Sequence, residues 1–411
     1  MPKVKFSSEF FKANRRRLAS LLPEDLPIAV TANGLIQRGA DSAYPFTQDA
    51  NFWYLTGIND PDITLVIDHN REFLIVPIRE GSRVTFDGQI DQVQLAKISG
   101  ITDILNEASG WKRLDGLLSR TKQVATLAPA PPYIEQYGLF ANPARYRFSD
   151  RLRHHISSEE LKIIDIRAEL ASLRVIKQAV EIQALKEAVK ITCDTLKEVL
   201  NKPHGTYTHE YQIEADIAHG FRYRGAAGHA FEPIVAGGKR ACTMHYLNNS
   251  ARLKPGEMVI LDVGANVSGY GADITRVLTT AKPTPRQKAV FSAVKETQSY
   301  ALSLLKPGTH LRSYENKVAK FAGIQLKQLG VINNLKPENI RRYFPHATSH
   351  FLGLNVHDVG DYTKALRPGT LITVEPGLYL PEEGIGVRIE DDVLITQNGI
   401  DILSKQLPAR I

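Results

Sequence analysis

The chain has 411 residues, 43% of them hydrophobic and 23% charged. That balance belongs to a folded protein of two or three domains and excludes collagen-like, coiled-coil and disordered classes. The net charge of +7 is thinly spread. Its basic clusters (Arg15-Arg16-Arg17, 151–155 and Arg341-Arg342) are short and read as solvated helix faces, so no nucleic-acid partner is expected. No run approaches the ~18 apolar residues of a membrane span, so no membrane partner is expected. Two cysteines, Cys193 and Cys242, form no disulfide framework and suit a reducing compartment. The first residues lack the apolar core and cleavage site of a secretory signal, and the expected location is cytoplasmic.

In chain order, the first predicted element is a helix over 9–22 with Ser8 as its cap. Strands follow at 63–67 and 73–76, joined by a turn at Asp68-His69-Asn70, and at 124–127. Pro129-Ala130-Pro131-Pro132 reads as rigid and extended. This first third reads as an α/β domain. Amphipathic helices are predicted over 157–173 and 178–200, the second ended by Pro203. The stretch between them marks a boundary, giving domains at 1–172 and 173–411. Further helices are predicted over 209–223, 286–305 and 313–329. Strands are predicted at 257–263, 271–279, 370–375, 385–390 and 392–396, with Asn398-Gly399 as a turn. The second half therefore reads as helices on a curved antiparallel sheet, an α+β pattern.

Four of these strands carry acidic residues among apolar ones: Asp262, Asp273, Glu375 and Glu390. A carboxylate inside a strand is costly unless it is paired, hydrogen-bonded or bound to metal. Antiparallel partners keep a constant sum of residue numbers. For Asp262 and Asp273 the mirror point falls between Val267 and Ser268, inside the turn-like Asn266-Val267-Ser268-Gly269. For Glu375 and Glu390 it falls between Glu382 and Glu383, inside Pro381-Glu382-Glu383-Gly384. Each pair can thus face across two strands, with Cβ atoms ~5 Å apart. Facing carboxylates repel unless cations lie between them, and two such pairs suit two metal ions. Three of the chain's 12 histidines, His346, His350 and His357, lie in one short segment and could add an imidazole. Carboxylates with an imidazole suit Mn²⁺, Co²⁺, Fe²⁺ or Zn²⁺. There is no HExxH motif.

Leu261-Asp262-Val263-Gly264, Gly271-Ala272-Asp273-Ile274-Thr275-Arg276, the run from Ser349-His350 to His357-Asp358, Val374-Glu375-Pro376-Gly377-Leu378-Tyr379 and Gly386-Val387-Arg388-Ile389-Glu390-Asp391-Asp392 occur in a characteristic order. Together they resemble the metallopeptidases of the Xaa-Pro aminopeptidase and prolidase group. Asp41-Ser42-Ala43-Tyr44-Pro45-Phe46 and Asn51-Phe52-Trp53-Tyr54-Leu55-Thr56-Gly57 resemble the smaller domain of bacterial aminopeptidase P, so the resemblance covers nearly the whole chain. It implies a C-terminal pita-bread catalytic domain, a smaller N-terminal α/β domain, and two divalent ions, usually manganese, with Co²⁺ or Zn²⁺ as alternatives. By motif, the implied metal ligands are Asp262, Asp273, His350, Glu375 and Glu390. The implied catalytic residues are His245, His346, His357, Glu375 and Arg388, with Tyr379, His245 and His357 binding substrate.

The implied reaction is attack of a metal-activated hydroxide on an Xaa-Pro bond, with Glu375 moving a proton toward the proline nitrogen. His346 and His357 would steady the oxyanion. The expected partners are peptides with an N-terminal Xaa-Pro, and the expected assembly is a homo-oligomer, a dimer or tetramer. Three departures stand out: His346-Ala347-Thr348 where His-Gly is usual, a short Tyr379-to-Gly384 loop, and Gln178-Ala179-Val180 in place of a Ser-Pro-Glu-like start. The rival enzyme is a prolidase limited to dipeptides. A non-catalytic relative that binds peptide or nucleic acid is the rival of another class, and all five ligand candidates speak against it.

Overall fold

Ser7, not Ser8, caps the first helix, α1 (Ser8–Ala19), its hydroxyl accepting from the Phe10 amide at 3.3 Å. The computed structural model describes residues 4–69, 71–128, 143–155 and 161–411. The Pro129–Pro132 segment, Asn70 and the first residues of the predicted 157–173 helix lie outside the described residues. Two compact units divide between Leu173 and Arg174: Phe6–Leu173, and Arg174–Ile411, which also takes in Val4 and Lys5.

The first unit continues with β1 (Ile28–Thr31), α2 (Ala50–Thr56), β2 (Thr64–Asp68), β3 (Arg71–Val76), α3 (Ser82–Asp87), α4 (Gln92–Ser99), β4 (Ile104–Asn106), α5 (Glu107–Thr121), β5 (Gln123–Thr126), α6 (Pro143–His155), β6 (Lys162–Asp165) and α7 (Arg167–Arg174). Its six strands form one mixed sheet in the order β4-β3-β2-β1-β5-β6. The helix predicted over 157–173 is corrected here. Residues 162–165 pair with β5 in parallel, because sheet closure overrides the local helical pattern, and Asp165 then accepts from the Arg167 amide where α7 starts.

In the second unit come α8 (Ala179–Leu200), α9 (Glu210–Tyr223), β7 (Gly228–His229), β8 (Ile234–Gly237), a 3₁₀ turn (Gly238–Cys242), β9 (Met258–Val263), β10 (Ala265–Val267), β11 (Tyr270–Gly271) and β12 (Ile274–Thr279). They are followed by α10 (Pro285–Ser303), α11 (Leu311–Gln328), α12 (Pro337–Tyr343), β13 (Leu371–Val374), β14 (Gly377–Leu380), β15 (Ile385–Arg388), β16 (Asp391–Thr396) and β17 (Gly399–Ile402). Helix α10 begins where Thr284 and Gln287 cap each other reciprocally and Pro285 supplies a preset φ. Two apolar cores flank the strands. Val189, Leu196, Ile213, Ile217 and Phe221 pack on Leu261, Val263 and Ile274. Val290, Val294, Val318 and Leu326 pack on Ile372, Val374, Val387 and Ile389. Strand alternation does the rest: with Leu261 and Val263 facing the helices, Asp262 turns the other way.

One predicted pairing differs and one agrees. In β9–β12, Asp262 lies opposite Thr275, not Asp273. The hairpin continues through Val267↔Tyr270, so its two-residue turn is Ser268-Gly269, both at positive φ (52° and 90°). The register is displaced by two residues, which keeps both aspartates on the same face. In the other hairpin, Gly377↔Arg388 through Leu380↔Ile385 and Leu371↔Leu394 through Val374↔Asp391 share one register. Glu375 and Glu390 fall at the step between them, at the predicted mirror positions.

Candidate metal centre

Asp273, His350 and Glu390 converge, with one potential ligand atom from each within 4.8 Å of the others. His350 Nε2 lies 3.4 Å from Asp273 Oδ2 and 3.4 Å from Glu375 Oε1. His350 Nδ1 sits 3.0 Å from the Phe351 carbonyl oxygen. A carbonyl only accepts, so Nδ1 carries the proton and Nε2 presents its lone pair to the carboxylates, the tautomer a metal ligand needs. The Thr373 hydroxyl accepts from the His350 amide at 3.2 Å, and the Thr348 carbonyl accepts from the Glu375 amide at 2.8 Å, so the segment carrying His350 is pinned along β13.

Asp262 joins through charge. Arg388 Nη2 donates to its Oδ2 at 2.5 Å, whereas Oδ1 is buried with no hydrogen-bond partner. Such an orphaned oxygen costs about 1–3 kcal/mol. Burial, then the charges of Glu390 and Asp262, pushes Asp273 well above the ordinary carboxylate range. Burial and Glu390 do the same to Glu375. Glu390 is pushed up to about 8 by burial and then by Asp262. Burial, then His357, pulls His350 down to about 4. Four carboxylates, one unprotonated imidazole nitrogen and an orphaned oxygen fit divalent metal, which would relieve each of these penalties.

The remaining predicted residues surround this cluster. Arg388 donates to the Tyr379 hydroxyl at 2.9 Å and to Thr275 Oγ1 at 3.1 Å. Burial opposes its charge, but Tyr379 and Asp262 hold its pKa well above the usual value. The Tyr379 oxygen lies 2.7 Å from His346 Nε2, and His346 Nδ1 lies 2.8 Å from the Ala347 carbonyl oxygen. Burial, then Arg388, brings His346 to about 4, so it is neutral. The His357 ring lies 4.2 Å from that of His350, and His357 is lowered by burial and then by His245. His245 and His357 are exposed. Sequence reasoning missed Thr275, which donates to Glu390 at 2.6 Å, and Glu315, which accepts from the Thr348 and Ser349 amides at 2.8 and 3.1 Å. The signal for Thr275 was present, since the correct register puts it opposite Asp262. Glu315 had none, lying on a helix remote in sequence.

Residues 183–397 match the model of metallopeptidase family M24, and residues 11–125 match the N-terminal domain of aminopeptidase P. The chain is 30% identical over 423 residues to the Xaa-Pro aminopeptidase of Escherichia coli, covering 97% of this chain and 95% of that one. Similarity to the Xaa-Pro dipeptidase of Pyrococcus horikoshii, at 32%, covers only 63% of this chain. The solved structure of zinc-substituted aminopeptidase P from E. coli with product superposes with a TM-score of 0.87 at 29% identity, covering 99% of this chain and 97% of that one. The fold is therefore that of aminopeptidase P, and the helices and strands that gather the four carboxylates and His350 lie within the matched catalytic region: the chain belongs to metallopeptidase family M24.

Proposed function

We propose that the chain is a metal-dependent Xaa-Pro aminopeptidase, releasing the first residue of peptides with proline second. The observation that carries this is the convergence of Asp273, His350 and Glu390 inside a chain similar along its length to Xaa-Pro aminopeptidases. Asp262, Asp273, His350, Glu375 and Glu390 would hold two divalent ions, with Mn²⁺ first and Co²⁺ or Zn²⁺ as alternatives. Bound there, such ions supply Lewis acidity, which generates hydroxide near neutral pH and polarises a carbonyl.

The chain's own residues do the rest. Glu375 would take a proton from the attacking water and pass it to the departing proline nitrogen. His346, neutral and accepting from Tyr379, keeps the tyrosine oxygen fixed at the pocket edge. Arg388 holds one oxygen of Asp262, leaving the other free for metal. His245 and His357, both exposed, donate hydrogen bonds to the peptide. Cys193 and Cys242 are free thiols, in keeping with a cytoplasmic setting, and no described helix is long and apolar enough to cross a membrane. A homo-oligomer is the proposed assembly, read by light scattering.

The deciding experiment is hydrolysis of Ala-Pro-Ala and Ala-Pro with Mn²⁺, Co²⁺ or Zn²⁺, and with chelator. Cleavage of the tripeptide with metal is expected. Cleavage of the dipeptide alone would make the enzyme a prolidase.

A further inference from the structure

Glu210, at the start of α9, is fully buried and accepts from four donors. Its Oε1 takes the Gly237 amide at 2.9 Å and Arg240 Nε at 2.7 Å. Its Oε2 takes the Tyr246 hydroxyl at 2.8 Å and the Ala251 amide at 2.9 Å. These donors run from Gly237, the last residue of β8, through the 3₁₀ turn to Ala251, the loop segment that carries His245. One carboxylate thus ties both ends of the loop and the residue next to the histidine. Apolar packing supports the loop as well: Ala241, Cys242, Met244 and Tyr246 pack with Ile234, Ala236, Ile260 and Tyr379. Asn249, at φ 42°, links the Val235 amide to the Pro233 carbonyl, and the Ala241 carbonyl packs where a Cβ on Gly386 would stand, 2.5 Å away.

His245 itself is exposed, but its neighbours Met244 and Tyr246 pack against the apolar cluster that includes Tyr379. Its placement beside the centre comes from the backbone of this loop and not from contacts of its own ring. A segment whose main regular structure is one short 3₁₀ turn holds such a position only where its buried polar groups are satisfied. Glu210 supplies that satisfaction for four of them.

We propose that Glu210 is the positioning residue for His245, acting through loop 237–251 to set how substrate is held. This rests on reading His245 as the substrate-side histidine. Glutamine at 210 keeps the volume but turns one acceptor oxygen into a donor facing donors. The test is a double-mutant cycle of Glu210→Gln with His245→Ala, in metal-loaded full-length protein, reading kcat, KM and bound metal.

Glu210→Gln is expected to lower kcat/KM ~10-fold, chiefly through KM, with bound metal unchanged. In the His245→Ala background the same change should cost less than ~2-fold, since the group it positions is gone. An equal cost in both backgrounds overturns the proposal, as does a loss of bound metal. If His245→Ala leaves the kinetics unchanged, the reading of His245 falls, and the proposal falls with it. Should Glu210→Gln fail to fold, Tyr246→Phe, which removes one of the four bonds, enters the same cycle. A ~3-fold cost confined to the His245 background supports positioning, and an equal cost in both refutes it.

Discussion

The hydroxyl of Tyr379 lies 2.7 Å from Nε2 of His346 and receives a hydrogen bond from Arg388 at 2.9 Å. Because Arg388 can only donate and His346 Nδ1 is taken up by a carbonyl, the tyrosine proton must point at the histidine. Donation in the line Asp262–Arg388–Tyr379–His346 therefore diverges from Arg388, toward the Asp262 carboxylate on one side and through the Tyr379 hydroxyl to His346 on the other.

Removing the middle of this line tests it. Tyr379→Phe leaves the ring but takes away the oxygen that Arg388 and His346 share. A fall of ~10-fold in kcat/KM is expected, with metal content unchanged by elemental analysis. Unaltered kinetics would show that the line is only structural.

Asp262→Asn keeps the shape and removes a charge. Arg388 then loses its anionic partner, and the proposed metal site loses one carboxylate. Bound metal should fall below two equivalents and kcat/KM by more than ~100-fold. Full loading with ordinary activity would contradict the ligand set.

Metal stripping should couple to pH. Glu390 is raised from its ordinary 4.5 to about 8 in the folded, metal-free chain. A raised acid favours folding fully below its unfolded pKa, and that advantage is lost as pH rises toward the folded one. Chelator-treated protein should therefore lose stability between pH 5 and 8, while metal, which binds the deprotonated form, gains. The gap in Tm between Mn²⁺-loaded and stripped protein should widen across that range in differential scanning calorimetry. A constant or narrowing gap would count against these carboxylates as the ligands.

Away from the centre, Asp358 is buried between Arg174 Nη2 at 2.5 Å and Lys177 Nζ at 3.3 Å. Burial alone would raise its pKa, but these two cations hold it below the usual value. Asp358→Asn removes the buried carboxylate that both cations face, and urea unfolding should show a loss of ~3–5 kcal/mol. A loss below ~1 kcal/mol would mean that water reaches the site.

The parts of this architecture legible in the sequence were those set by local pattern. Helix α8 followed from Ile182, Leu185, Val189 and Leu196 at helical spacing, and Pro203 marked its end. The Glu375–Glu390 register was legible because the ladder on either side has no bulge and its turn is rich in turn-formers. The Asp262–Asp273 register was not, because Asn266-Val267-Ser268-Gly269 allows two turn centres and only pairing along the whole hairpin chooses between them. Strand β6 was hidden by its shortness, and its partner β5 is remote in sequence. Glu210 and Glu315 were invisible for a different reason: each serves backbone amides far along the chain, and nothing near it in the sequence announces that duty.

Glu375, Tyr379, Arg388 and Glu390 all hang on two short ladders of one shared register, stepped at Glu375 and Glu390 and closed at Pro381-Glu382-Glu383-Gly384. Inserting a single residue in either strand would invert the side chains beyond it, sending either Tyr379 or Arg388 to the wrong face. The turn is the one place on this hairpin where length can change without moving the chemistry. Diversification of this pocket by insertion or deletion is thus channelled to its lip, while the four side chains beneath travel together as a block that can be altered only by substitution.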